Sequence, residues 1–146
     1  ENLRAYPVLK LAGALEAGRV REALRRLRRG EWVALFPEGE MRYPGPLGPL
    51  REGANWLARK AGVPLLPVAL RVVLRGYEHP EAFLWVGRPL PPGGDLGRAL
   101  GGLLQALDAL LAKTHPREVP EGFREVLRGR RSLEERVLPL VRLLRP

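Results

Sequence analysis

Along the first sixty residues the apolar positions switch between a helical and a strand period. From 16 to 29, Val20, Ala23, Leu24 and Leu27 recur at helical spacing while arginines fill most other positions. This predicts an amphipathic helix stopped by Gly30, its apolar stripe turned to a sheet. The continuous apolar run 32–36 is bounded by Pro37-Glu38-Gly39 and predicts a strand buried on both faces. The loop 43–49, rich in glycine and proline, leads into a second helix over 50–61, with Ala54, Leu57, Ala58 and Ala61 at helical spacing and Gly62 as its stop.

Residues 63–70 return as a strand whose start must be an edge, a bulge or an irregular crossing, because Pro64 and Pro67 cannot serve a central ladder. Residues 72–74 extend it, and 83–86 form another strand after a loop at 76–80. Asp95 is placed to cap a long helix running to Lys113. The last thirty or so residues carry apolar stripes through Phe123, Val126, Leu127, Leu133, Val137 and Leu144, which predicts basic helices. These either pack on the domain or lie on a membrane surface with arginines at the headgroups. Strand, helix, strand order favours an α/β fold, a mixed β-sheet flanked by helices with right-handed crossovers. The 146 residues form one domain in this reading, with a motif-bearing α/β part over 1–94 and a helical part over 95–146.

Composition narrows the chemistry. There is no cysteine, so disulfides, thiol catalysis and thiolate metal sites are excluded. The net charge of +9 favours phosphate-bearing partners. Arginine supplies nearly all of that charge, and together with abundant Ala, Leu, Pro and Gly it fits a thermophile-like composition equally well. No run reaches the roughly 20 apolar residues that span a bilayer, so the expected membrane contact is peripheral. The expected location is cytoplasmic, on the inner membrane surface. The arginines are not interleaved with aromatic residues and no nucleic-acid-binding signature occurs, so no nucleic acid partner is expected.

Three blocks in order, Leu35-Phe36-Pro37-Glu38-Gly39-Glu40, Leu50-Arg51-Glu52-Gly53-Ala54 and Ala61-Gly62-Val63-Pro64-Leu65-Leu66-Pro67-Val68, resemble the phospholipid/glycerol acyltransferase family, which includes the lysophosphatidic acid acyltransferases. The resemblance implies a glycerol-3-phosphate acyltransferase-like fold. It also implies transfer of a fatty acyl group from acyl-CoA or acyl carrier protein to a hydroxyl of a glycerol phosphate or lysophospholipid, in phospholipid biosynthesis. The donor thioester is a substrate, so neither cofactor nor metal is expected. By the same resemblance Glu38 and Gly39 help hold the acceptor's glycerol phosphate, the alternative being that Glu38 only caps a turn. The block Gly13-Ala14-Leu15-Glu16-Ala17-Gly18-Arg19 is similar to the family's acceptor-binding segment, with Gly18 where an acidic residue is usual. Arg19 is then either a phosphate ligand or one more arginine on a solvated helix face. Arg42 stands one position beyond the family's arginine and is the other candidate phosphate ligand.

The family's reaction uses a histidine followed, after four residues, by an aspartate that orients it as general base. Neither histidine makes this motif: Leu84 lies five residues after His79, and Pro120 five after His115. No catalytic residue is assigned within the chain. The chain starts at Glu1 inside family-like sequence, so the pair is expected upstream and the fold incomplete at its N-terminus. Missing strands would leave exposed edges and apolar faces, to be covered by self-association or by an upstream fragment. The alternative is a non-catalytic family member that binds phosphorylated lipid or an anionic membrane surface.

Overall fold

The computed structural model describes residues 13–15, 18–40, 45–76, 78–127 and 129. The elements are α1 (Val20–Arg28), α2 (Gly53–Ala61), β1 (Val68–Val73), β2 (Glu81–Val86) and α3 (Leu96–Lys113). They fall in two compact units, one of Glu1–Pro67 with Arg88–Arg98, the other of Val68–Gly87 with Ala99–Pro146.

In the first unit α1 packs against α2. The stripe expected to face a sheet therefore meets a helix, and Ala23 is its buried contact. Gly30 stops α1 as the sequence predicts: its φ is +80°, which suits glycine, and its N–H donates to the Leu27 carbonyl. The Glu31 N–H reaches back to the Arg26 carbonyl, completing a Schellman closure. α2 buries Ala54, Leu57 and Ala58, three of the four positions the spacing selects, and ends at Gly62.

The run 32–36 is not a strand, and its expected burial is corrected: Trp32 is 87% exposed and Phe36 82% exposed. Apolar content makes a run suitable for a ladder, but the ladder requires a partner, and none pairs with these residues among those described. The prolines act as expected. Leu65 makes only an isolated antiparallel bridge to Leu90, and β1 begins after Pro67.

In the second unit β1 and β2 form an antiparallel pair, with Val68 opposite Val86 and Val73 opposite Glu81. This corrects the expected mixed sheet with crossovers, since among the described residues the sheet has these two strands only. The seven residues between Val73 and Glu81 are too few for a parallel crossover, which takes a dozen or more. Alternation along the strands sends Ala69, Phe83 and Trp85 inward. Phe123 meets both rings edge-on, with centroids 5.8 Å from Phe83 and 5.8 Å from Trp85. The opposite face is apolar and open: Leu70, Val72, Leu84 and Val86 are exposed.

α3 is capped as predicted, the Arg98 N–H donating to Asp95 Oδ1 at 2.9 Å. Leu96, Leu100, Leu104 and Leu107 form its buried stripe. The bidentate pair of Arg71 with Asp108, at 2.7 and 2.8 Å, ties β1 to α3. The helical tail is corrected over 114–127, which holds turns and no helix, because Pro116, Pro120 and Gly122 interrupt the period. The expected stripes at Leu133, Val137 and Leu144 lie outside the described residues. No helix among the described residues is long and apolar enough to cross a membrane.

Candidate functional site

The turn after the 32–36 run is built by one hydrogen bond of its own and two with the segment before α2. The Gly39 N–H donates to the Phe36 carbonyl at 3.0 Å and closes the turn. The Arg51 N–H donates to the Pro37 carbonyl at 2.8 Å. The Gly48 N–H donates to Glu38 Oε2 at 3.1 Å. Glu38 is thus a half-buried clamp joining two loops, so the turn-capping use of this residue is realised in the fold.

Gly39 has φ +72° and lies under the Arg51 side chain; a Cβ there would stand 2.8 Å from Arg51 Cδ. The backbone conformation favours glycine here, and a β-carbon would also displace the end of the Arg51 side chain. The turn therefore fixes Arg51, and Arg51 is followed at once by Glu52 and Gly53, where α2 begins.

α2 begins on one side of an open cleft of about 770 Å³, lined from that helix by Glu52, Gly53 and Trp56. The other side is the start of α1, with Gly18, Arg19, Val20, Arg21, Glu22 and Arg25. The Arg19 carbonyl accepts from the N–H groups of Glu22 and Ala23 at 3.1 and 3.2 Å, so the first turn of α1 holds this backbone in place. Neither α1 nor α2 has a side-chain cap at its N-terminus. Helix N-termini carry partial positive charge and unused N–H groups, which favours an anion beside them.

Three arginines and two glutamates line the cleft. Glu22 is engaged by Arg25 and by Arg26, the latter at 3.4 Å, while Glu52 faces Arg59 at 3.8 Å. The acidic groups are thus offset by cations at hand. The arrangement can hold a phosphate through guanidinium groups.

The structure separates the candidate residues that sequence reasoning grouped. Arg19 lines the cleft, whereas Glu38 and Gly39 are not among its lining residues. Arg42 lies outside the described residues. Trp56, which the sequence reading does not single out, lies off the buried stripe of Ala54, Leu57 and Ala58 and lines the cleft. His79 Nε2 is 3.6 Å from the neighbouring Glu78 carboxylate, and His115 Nδ1 accepts from the Arg117 N–H at 3.3 Å. Both are exposed surface arrangements. Among the described residues no three His, Asp or Glu side chains gather to hold a metal ion.

Comparison with known proteins gives matches over this part of the chain. The Acyltransferase family model matches residues 4–71. An N-acylphosphatidylethanolamine synthase of Arabidopsis thaliana is 36% identical over 93 residues, covering 61% of this chain and 31% of the relative. A 1-acyl-sn-glycerol-3-phosphate acyltransferase of Pseudomonas aeruginosa is 32% identical over 98 residues, covering 60% of this chain and 37% of the relative. A chloroplastic 1-acyl-sn-glycerol-3-phosphate acyltransferase of Brassica napus is 37% identical over 51 residues, covering 35% of this chain and 15% of the relative. The chain thus spans at most 37% of the length of these relatives. No solved structure matches the chain significantly. The family-model match takes in α1, the Glu38 turn and α2, and over these residues the chain is similar to the acyltransferase family.

Proposed function

We propose that the protein transfers a fatty acyl group from acyl-CoA or acyl carrier protein to a hydroxyl of a glycerol phosphate or lysophospholipid, in phospholipid biosynthesis. The observation that carries this reading is the position of Arg19. The residue picked out as a phosphate ligand lines an open cleft between two helix starts, within the family match. Arg19 pairs with the acceptor phosphate, assisted by Arg42. Glu38 and Gly39 serve the site by fixing Arg51 and the start of α2 rather than by lining the cleft.

In the transfer the acceptor hydroxyl gives its proton to a base, its oxygen attacks the thioester carbonyl, and the carbon–sulfur bond breaks to release the thiol. Neither His79 nor His115 is followed after four residues by an aspartate and neither lines the cleft, so this reading takes the base to be a His/Asp pair outside these 146 residues. The protein as its gene encodes it then works at the inner membrane surface as a peripheral enzyme. Labelled acyl donor offered with several acceptors tests this. Labelled phospholipid product is expected, and no incorporation with any donor and acceptor would sink the reading.

The two histidine environments also favour a second reading, a non-catalytic module that binds phosphorylated lipid or an anionic membrane surface. It predicts salt-sensitive binding to anionic vesicles with no acyl transfer. Vesicle binding measured beside the activity assay separates the two.

A further inference from the structure

The 32–36 run needs explaining because the fold does not use it as a core. Trp32 is 87% exposed, Leu35 46% and Phe36 82%. Two bare aromatic rings and a leucine in one short run cost free energy in water that a covering surface would recover. The run also starts where a dense positive charge ends. Gly30, with the Glu31 N–H returned to the Arg26 carbonyl, turns the chain from α1 directly into it.

Residues 19–31 hold six arginines and two glutamates, a net charge of +4. Arg21, Arg25 and Arg28 follow one another at spacings of four and three, so they share one face of α1. With Arg29 they are exposed, while Ala23 is the buried residue of the helix. The two glutamates are already engaged, Glu22 by Arg25 and Arg26 and Glu31 by Arg26. The positive face is thus left for something outside the chain.

A partner that satisfies both features must offer hydrocarbon and negative charge side by side. A second copy offers the first and opposes the second, since a chain of net charge +9 brings arginines against arginines. A polynucleotide would answer the arginines and leave Leu35 wet. An anionic lipid surface supplies both, with arginines at the headgroups and aromatic rings at the boundary with the acyl chains. The backbone of 32–36 belongs to no ladder and must stay hydrated, which sets the depth at the headgroups rather than in the hydrocarbon.

We propose that α1 and the 32–36 run together form the face that docks on an anionic lipid surface. Arg21, Arg25, Arg28 and Arg29 meet the headgroups, and Trp32, Leu35 and Phe36 enter the interface. This names the surface for the peripheral contact proposed above and rests on that reading. Arg21 and Arg25 also line the cleft, so docking brings the rim of the cleft to the lipid.

Co-sedimentation of the protein as its gene encodes it tests this face, with vesicles of phosphatidylcholine alone and of equal parts phosphatidylcholine and phosphatidylglycerol. The wild type should bind the anionic vesicles and lose them as salt rises. An Arg28→Gln, Arg29→Gln protein should partition about thirtyfold more weakly. A Trp32→Ser, Phe36→Ser protein should lose about tenfold or more. All four side chains are exposed, so both variants should unfold at the denaturant midpoint of the wild type.

A second measurement does not depend on how those variants fold. In a Trp56→Phe, Trp85→Phe protein, Trp32 is the remaining indole of these 146 residues. Its emission should shift to the blue on anionic vesicles and be quenched by lipids brominated near the headgroup. Undiminished vesicle binding by both surface variants, or Trp32 emission that stays put on vesicles that bind the protein, overturns this face and leaves the peripheral reading standing. Wild-type protein that binds no vesicle overturns that reading and this inference with it. A dimer by light scattering that Trp32→Ser, Phe36→Ser converts to monomer would assign the run to a second copy and overturn the lipid face.

Discussion

The Arg51 side chain lies across the backbone of Gly39, so closely that a β-carbon on Gly39 would fall 2.8 Å from Arg51 Cδ. Two separate costs then attach to Gly39→Ala: the left-handed backbone at φ +72°, and displacement of Arg51. The substitution should destabilise by about 2 kcal/mol in denaturant unfolding. In an Arg51→Ala background only the backbone cost remains, about 1 kcal/mol, so the double-mutant cycle should show coupling. Additive effects would mean that the two residues do not meet.

Glu38 holds the Gly48 N–H through one carboxylate oxygen. An amide can accept the same bond, so Glu38→Gln should keep stability nearly intact, while Glu38→Ala should lose about 1 kcal/mol. The same pair of variants separates clamp from charge in the activity. A clamp predicts that Glu38→Gln leaves KM for the acceptor unchanged. A rise of KM in the glutamine variant with unchanged stability would assign Glu38 a direct part in binding.

The pair of Arg71 with Asp108 predicts a pH dependence. The hydrogen bond from Arg71 holds the Asp108 carboxyl below its ordinary value of 3.8, opposed in part by burial and aided by the Arg71 charge. A carboxyl whose folded value is depressed contributes stability that is complete above about pH 5 and is lost as pH falls below 3.8 through the depressed value. Asp108 is 49% exposed, so salt screens the pair and its contribution stays within about 1 kcal/mol. Asp108→Asn should flatten the acid limb of the stability curve, measured by chemical denaturation from pH 5 downward. An unchanged limb would remove the pair from the account.

Neighbouring residues on β2 should respond oppositely. Phe83 is 7% exposed beneath Phe123 and Arg75, whereas Leu84 is 58% exposed on the other face. Phe83→Ala should cost about 3 to 4 kcal/mol. Leu84→Lys should stay within about 0.5 kcal/mol and should raise solubility by breaking the exposed apolar face. A large loss from Leu84→Lys would show that this face is covered in the folded protein.

These contrasts mark what the sequence could reveal. The stops at Gly30 and Gly62 and the Asp95 cap were legible because each is decided within a few residues by backbone geometry. The delayed start of β1 followed from Pro64 and Pro67 for the same reason. The 32–36 run misled because hydrophobicity makes a strand possible and only a partner makes it one. The expected mixed sheet with crossovers failed with that run, since without a strand at 32–36 the strand–helix–strand unit loses its first member. Arg71 and Asp108 are 37 residues apart, and nothing in either local pattern announces their pairing. At the site, the sequence left Glu38 open between ligand contact and a turn cap, and Arg19 between a phosphate ligand and a solvated helix face. Of the two, Arg19 lines the cleft, while the Glu38 carboxylate accepts from Gly48 in the neighbouring loop.

The central claim is that an acyl acceptor's phosphate sits on Arg19 in a working acyltransferase. Initial rates of acyl transfer by the protein as its gene encodes it, with Arg19→Ala beside it, test this most directly. The account predicts labelled acyl product from the wild type. It also predicts an acceptor KM raised about tenfold or more in the variant, with kcat changed much less. Absence of product from the wild type with every donor and acceptor, or an Arg19→Ala variant whose acceptor KM equals that of the wild type, would contradict it.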